Sequence, residues 1–578
     1  MTDRDGLLRG VVGRTADVAL GLPKANNGYE VQRDLAVPMP DGVCLLGDLY
    51  RPTGASGPRP VVLIRLPYGR AALNGLAFGA TFARHGHQVF IQSTRGTFGS
   101  GGHFRPFSTE REDGLATLEW VREQAWCDGR VAMTGGSYFG HTQWAVAPYA
   151  DPPLVSFAPH VTSARITRPF YEGGAPAILN SLAWTEQLGR QERGILAQLP
   201  TPVRAARLRR AVRALPLQAA DVAVNGTAHP FWRDFVEHAE PTDDFWAGTD
   251  HSTVDMNALP PATAVTGWWD LFLPGQLADV TALRAAGNDM RLVIGPWLHG
   301  EPGELKAMLV SDIAWLDHQL GDGPAPDGAP FRVALQNTDA WLELEEWPPS
   351  EAVPETLHLH ADRTLQPDPA TAPAEPSRFV YDPTDPTPSV GGPLLKGPGK
   401  QVDNRDIERR GDVLVFTGSP LEADLDIVGD VSARIHVRHS VSHADVFVRI
   451  CDVDEKGRSL NVVDGIRRLH PNTVPADDVR VGDDGVLTVD VPLFPTAYRV
   501  VAGHRLRVQV SAGAFPRYAR NLGTGDPLAT GRDGVPCHVE IFHDAERPSS
   551  VTLRRMPWPE AASPRGKADA ANELQPVS

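Results

Sequence analysis

Val131-Ala-Met-Thr-Gly-Gly-Ser137-Tyr-Phe-Gly140 reads as a short apolar strand, a sharp turn eased by Gly135 and Gly136, and the first residues of a helix, with Ser137 at the tip. That is the layout of a nucleophile elbow. A serine hydroxyl is a weak nucleophile, and a strained strand-to-helix turn presents it where a base and backbone N–H donors can both reach a reacting carbonyl. The stretch misses the general G-x-S-x-G pattern by one residue, because Phe139 stands at the last glycine position and Gly140 follows it. A Gly-Gly-Ser turn is also ordinary turn chemistry. Partners elsewhere in the chain decide between the two.

Outward from this turn, residues 33 to 160 alternate strand-like and helix-like segments, the pattern of an α/β domain with a mostly parallel sheet. Strands are expected at Val61–Leu66, Val89–Ser93 and Arg130–Thr134, and helical spacing of apolar residues runs through Leu73–Arg84 and Glu110–Glu123. From about 165 to 245 strand character is lost, and Ala177–Leu188 and Val203–Leu215 read as helices. Strand signals resume at Ala262–Gly267 and Met290–Gly295, so the α/β domain is discontinuous around a helical insert. Beyond about 350 the texture changes to short alternating strands between Gly, Pro and Asp turns, including Leu357–His360, Val413–Phe416, Ala433–Val437 and Arg505–Val510. This is the pattern of an all-β sandwich. Residues 364–376 read as an exposed loop and 561–578 as a polar, disordered tail.

A chain of 578 residues exceeds one core, so several domains are expected. The boundaries read from composition are 1–164 and 247–350 for the two parts of the α/β core, 165–246 for the helical insert, and 351–560 for the sandwich. With 55 basic and 71 acidic residues the net charge is −16, which argues against nucleic-acid or anionic-membrane partners. Five arginines within Arg204–Arg213 read as the solvated face of an insert helix. Cys44, Cys127, Cys451 and Cys537 form no C-x-x-C pair and read as buried, reduced thiols. The N-terminus lacks a signal-peptide pattern and no segment approaches 18 apolar residues, so a soluble, cytoplasmic protein is expected. No Walker loop, no G-x-G-x-x-G after a strand and no H-E-x-x-H occurs, which leaves cofactors and metals unsupported.

A serine nucleophile on such a sheet needs an acid and then a histidine, each at the carboxyl end of a strand. Ala-Val-Thr-Gly-Trp-Trp-Asp270 and Leu-Val-Ile-Gly-Pro-Trp-Leu-His299 meet that requirement in order. Asp270 alone could be a helix cap, and His299 alone a surface residue. All three falling at strand ends in the required sequence is the informative fact. His141 lies on the elbow helix itself, a poor place for a base that should come from a separate loop.

With those segments in view, the chain resembles the X-Pro dipeptidyl-peptidase, α-amino-acid ester hydrolase and cocaine esterase family of serine hydrolases. The resemblance rests on Arg65-Leu-Pro-Tyr68-Gly69, Ser93-Thr-Arg-Gly96, Gln124-Ala-Trp-Cys-Asp-Gly129, Gly135-Gly-Ser137-Tyr138-Phe-Gly140, Gly267-Trp-Trp-Asp270, Gly295-Pro-Trp-Leu-His299 and Tyr381-Asp-Pro-Thr-Asp-Pro386. The elbow form G-x-S-Y-x-G is this family's own. It implies an α/β-hydrolase core with a helical cap insertion and a C-terminal all-β jelly-roll sandwich. It also implies Ser137 as nucleophile, His299 as base and then acid, and Asp270 as the group that orients and stabilises the imidazole. Tyr68, through its hydroxyl, and Tyr138, through its backbone N–H, would form the oxyanion hole, and Trp184 and Phe272 would face the substrate.

The resemblance implies no cofactor, a small ester, amide or short peptide substrate, and permits a homodimer. One departure bears on substrate. Where the family often has Ser-Glu-Gly-Glu-Phe, this chain has Ser100-Gly-Gly-His-Phe104, so two acidic positions suited to holding a substrate amine are missing. Hydrolysis of an acyl ester or amide is the leading expectation. Release of X-Pro dipeptides is its main variant, and a non-catalytic binding module on a hydrolase scaffold is the alternative of another class.

Overall fold

The computed structural model describes residues 21–558 apart from 195, 196, 198, 200, 241, 242 and 471–478, so the expectations for the N-terminal segment and the tail at 561–578 lie outside the described residues. The core is a ten-stranded sheet whose strands, in chain order, are β1 Tyr29–Pro38, β2 Cys44–Pro52, β3 Arg59–Leu66, β4 Gln88–Ser93, β5 Cys127–Gly136, β6 Ser156–His160, β7 Ala262–Trp269, β8 Met290–Leu298, β9 Phe331–Ala334 and β10 Trp341–Leu344. Their spatial order is β1-β2-β4-β3-β5-β6-β7-β8-β9-β10. From β4 to β9 every neighbouring pair is parallel, while β1 and β2 at one edge and β10 at the other run antiparallel.

Strands β4 and β7 are buried at every position, as a parallel sheet covered on both faces requires. Alternate residues of β3 divide between the layers. Val61 and Leu63 pack with Leu118 and Val121 of α1 (Glu110–Glu123) and with Leu277 and Val280. Val62 and Ile64 pack with Phe82 and with Leu309 and Ile313. The elbow helix α2 is Tyr138–Trp144. Between β6 and β7 the chain leaves the sheet as a cap built on α3 (Ile178–Leu188), α4 (Pro202–Ala211), α5 (Ala220–Asn225) and α6 (Pro230–Glu237). After β7 and β8 come α7 (Leu273–Ala285) and α8 (Pro302–Leu320).

The C-terminal region is two antiparallel sheets. Its longest pair, Leu425–His439 and Leu487–Val500, runs from Leu425↔Val500 to Val437↔Leu487 with one bulge between Gly429 and Val431. Ile435 and Val437 from one sheet and Val448 and Ile450 from the other are buried in the same core, the packing of a sandwich.

Four local expectations need correction. Leu73–Arg84 is not one α-helix but a short turn at Ala72–Asn74, a wide π segment at Gly75–Ala80 and a last turn at Thr81–Arg84. The widening lets Gly75 and Gly79 lie against Tyr50, where an added Cβ would come within 2.2 Å of its hydroxyl and 2.7 Å of its ring, respectively. The helix expected at Val203–Leu215 stops at Ala211, short of Leu215, whose place before Pro216 disfavours helical backbone, and Val203 is exposed. The cap also holds a two-stranded pair, Tyr171–Glu172 with Ala175–Pro176, too short to show in an alternation pattern. Cys127, Cys451 and Cys537 are buried free thiols, but Cys44 is exposed, at the start of β2 where the hairpin tip opens to solvent. Among the described residues no helix is long and apolar enough to cross a membrane.

Candidate active site

The elbow is assembled by steric demands that only its sequence meets. Val131 to Gly136 are buried in β5, and Gly135 takes a φ of +131°, where a Cβ would strike Phe139 at 2.6 Å. At Gly136 a Cβ would come within 2.9 Å of Val161. Gly140 is where α2 presses closest on the next strand, since a Cβ there would lie 2.4 Å from Thr162 and 3.1 Å from the His160 carbonyl. The glycine that lets helix and strand approach is thus at 140, and Phe139 is free to pack against Tyr68 and Phe78, with ring centroids 5.7 and 5.8 Å away.

Ser137 has φ 61° and ψ −122°, a conformation that costs a non-glycine residue on the order of 1–3 kcal/mol. It is held there by its own N–H donating to the His160 carbonyl at 2.9 Å, and by its carbonyl accepting from the N–H groups of Gly140 and His141. The hydroxyl makes no capping bond to α2. It reaches His299 Nε2 at 3.0 Å, while His299 Nδ1 lies 2.7 Å from Asp270 Oδ2. Asp270 is fully buried, and its other oxygen accepts the Phe272 N–H at 2.7 Å. A carboxylate facing Nδ1 fixes the proton there and leaves the Nε2 lone pair toward Ser137. Burial alone would lower the pKa of His299, but the charge of Asp270 and its hydrogen bond outweigh it and hold it above the ordinary 6.5. Asp270 and His299 close successive neighbouring strands β7 and β8, which explains why 29 residues apart in sequence become adjacent in space.

Tyr68, just past β3, accepts a hydrogen bond from Trp184 Nε1 at 2.9 Å, so its own O–H is left to donate. Burial pushes the Tyr68 phenol well above its usual 10, with the Trp184 bond pulling the other way, so it stays a neutral donor at working pH. The backbone N–H of Tyr138 stands at the first position of α2, where no intrahelical acceptor exists. Its side chain turns the other way, donating to Glu110 Oε1 at 2.7 Å and accepting from Phe107 N–H at 3.0 Å.

A tight cleft of about 30 Å³ runs from Ser137 and His299 between Tyr68, Phe170, Trp184 and Leu271. Phe272 faces the His299 ring at 5.6 Å, and Trp184 stacks on Phe107 at 5.4 Å. Leu395, from the sandwich, also lines it, and its N–H donates to Asn180 Oδ1 in the cap at 3.0 Å. Core, cap and sandwich therefore all touch this one cleft. His141 lies beneath, edge-on to Phe107 at 5.0 Å, and burial drives its pKa well below 6.5. Neither of its nitrogens has a partner among the described residues, so it does not reach Ser137.

Three groups escaped the sequence reading. Arg65, fully buried, donates through one nitrogen to both the Glu110 carbonyl at 2.9 Å and its carboxylate at 3.1 Å, and through Nε to Gln92 at 2.9 Å. Glu110 thereby ties the elbow tyrosine to β3. The third is Glu304 in α8, whose carboxylate lies with Asp270 and His299 in a cluster with ligand atoms within 4.8 Å of one another. Its geometry alone would suit a metal ion. Both His299 nitrogens are already engaged, however, one with Asp270 and one with Ser137, so the imidazole offers no free lone pair.

The family model for the X-Pro dipeptidyl-peptidase (S15 family) matches residues 41–301, and that for the X-Pro dipeptidyl-peptidase C-terminal non-catalytic domain matches residues 326–552. The cocaine esterase of Rhodococcus sp. (strain MB1 Bresler) is 31% identical over 573 residues, covering 91% of this chain and 99% of that protein. The chain belongs to the X-Pro dipeptidyl-peptidase (S15) family. This S15 member is therefore a serine hydrolase. Its fold matches those of an aminopeptidase from a Thaumarchaeota archaeon, with TM-score 0.76, and of an α-amino acid ester hydrolase, with TM-score 0.74. Both are 24% identical and cover 93% of this chain and 98% of their own. The S15 member thus has the α/β-hydrolase core with an antiparallel C-terminal domain.

Proposed function

We propose that this protein hydrolyses an ester of an apolar, uncharged acyl group through an acyl-Ser137 intermediate. The observation that carries this is the continuous hydrogen-bonded line Ser137 Oγ, His299 Nε2, His299 Nδ1, Asp270 Oδ2 opening on an apolar cleft. Ser137 Oγ attacks the carbonyl as Nε2 takes its proton, and the imidazolium so formed is stabilised by Asp270. The oxygen that becomes negative is received by the Tyr68 hydroxyl and the Tyr138 N–H. The imidazolium returns its proton to the leaving oxygen. Water, deprotonated by the same nitrogen, then releases the acid from Ser137.

The acyl chain would lie between Trp184, Phe170, Phe272 and Leu395. No acidic side chain is among the described residues lining the cleft, so a free substrate ammonium would find no counter-charge there. That observation favours a neutral acyl ester over an X-Pro peptide with a free N-terminus, the substrate class that the family name describes. In this reading 165–246 is the lid over the acyl pocket and 351–560 the wall that supplies Leu395.

A panel of chromogenic acyl esters and X-Pro anilides, run on wild type and Ser137→Ala, tests both parts. Esters turned over at least a hundredfold faster than X-Pro anilides, with activity lost in Ser137→Ala, are expected. Preference for the anilide would overturn the substrate class, and unchanged ester hydrolysis by Ser137→Ala would overturn the mechanism.

A further inference from the structure

Behind the Asp270–His299 pair sits a second carboxyl that the mechanism above does not use. Glu304 occupies the third position of α8, and it is wholly buried. One oxygen performs a helix-terminus role, Oε2 accepting the Gly300 N–H at 2.6 Å. The other, Oε1, has no hydrogen-bond partner among the described residues although it is shut off from solvent. An ionised carboxylate with one oxygen buried and unpaired is expensive; a protonated one turns that oxygen into a donor. The carboxylate of Asp270 and the ring of His299 lie close by, in a cluster whose ligand atoms are within 4.8 Å of one another.

We propose that Glu304 is a positioning residue that holds a proton against Asp270, and that its gain or loss of that proton sets the basicity of His299. The inference rests on the acyl-Ser137 reading. Two carboxylates packed this closely in a dry site cannot both ionise at low cost. Burial first, and then the charge of Asp270, push Glu304 up to about 8, against the pull of His299 and the Gly300 N–H. Glu301, the residue just before α8, adds a further negative charge, and it is paired with Lys400 of the C-terminal region at 2.7 Å. Below this pH Glu304 is neutral, and His299 feels the charge of Asp270 alone. Above it a second negative charge stands beside the ring, which raises His299 further. A more basic Nε2 is the stronger proton acceptor in acylation.

The kcat/KM of ester hydrolysis should accordingly rise twice with pH. The first rise is the deprotonation of His299, and the second, of roughly threefold to tenfold, comes with the ionisation of Glu304 near pH 8. Glu304→Gln keeps an oxygen for Gly300 N–H and an amide facing the Asp270–His299 cluster but cannot titrate. It is expected to abolish the second rise, while Glu304→Asp restores a second rise at a shifted pH. A residue that only caps α8 would leave the profile of the glutamine variant superimposable on wild type. That outcome overturns the proposal. So does a single ionisation in the wild-type profile, a result that needs no variant to fold. The same samples treated with a fluorophosphonate separate this from failure of the mechanism: wild type labelled at Ser137 with a single rise refutes Glu304 alone, and wild type that resists labelling removes both.

Discussion

Replacing Tyr68 by phenylalanine removes one oxygen and leaves the ring that packs against Phe139 in place. Two consequences follow from its position. If the hydroxyl donates to the developing oxyanion, its loss removes one of two donors, worth about 2.7–4 kcal/mol of transition-state stabilisation and so roughly 10²–10³ in kcat, with KM shifted little. The Trp184 indole N–H, whose acceptor at 2.9 Å is that same oxygen, is also left unpaired in a largely buried position, which costs about 1–3 kcal/mol of stability. The two effects are read independently, by steady-state kinetics on a chromogenic ester and by equilibrium urea unfolding. The oxyanion role requires the kinetic loss to persist in protein shown to be folded. A variant that loses stability but keeps kcat within tenfold of wild type would mean that Tyr68 serves only as the acceptor for Trp184.

Asp270→Asn removes the charge that holds His299 above 6.5 and presents an amide to Nδ1, so kcat should fall by about 10³–10⁴ and the acid limb of the residual activity should move to lower pH. An unshifted limb in a pH–rate profile would contradict the electrostatic assignment. The sign for stability runs the other way: a histidine whose pKa is raised on folding stabilises the fold below pH 6.5, and that contribution fades as pH climbs through its folded value. Arg65→Met strands Glu110 in a site with no exposure to offset it, and should lower the unfolding free energy by about 3–5 kcal/mol in denaturant titration. Because Glu110 also holds the Tyr138 hydroxyl, fluorophosphonate labelling of that variant should slow as well. Normal stability would show that the buried pair is dispensable.

The parallel core was legible because its strands are short apolar runs closed by glycine-rich turns, and strands buried on both faces cannot read otherwise. Glu110–Glu123 came out with its observed bounds, since acidic residues open it and Leu118 and Val121 mark one face. The π segment at Gly75–Ala80 did not, because the ring that its glycines close on, Tyr50, lies on strand β2. The same divide runs through the site. Ser137, Asp270 and His299 are readable from strand ends, the one feature of the fold that local sequence states, and the hydrogen bonds between them span 29 and 162 residues. Arg65 stands in a quoted motif, but nothing local announces its pairing with Glu110, and a glutamate in the first turn of a helix is ordinary: only the fold turns Glu110 and Glu304 inward. Leu395 is further removed still, since nothing in a β-rich tail announces a residue aimed at a cleft in another domain.

The central claim is that Ser137 forms a covalent acyl intermediate with the help of His299, and intact mass measurement after fluorophosphonate treatment addresses it directly. The account predicts one adduct per wild-type chain, mapped by peptide digestion to residues 131–140, and none on Ser137→Ala. Its rate should fall sharply in His299→Ala. An adduct on another residue, or a folded and ester-cleaving wild type that gains no mass, would contradict it.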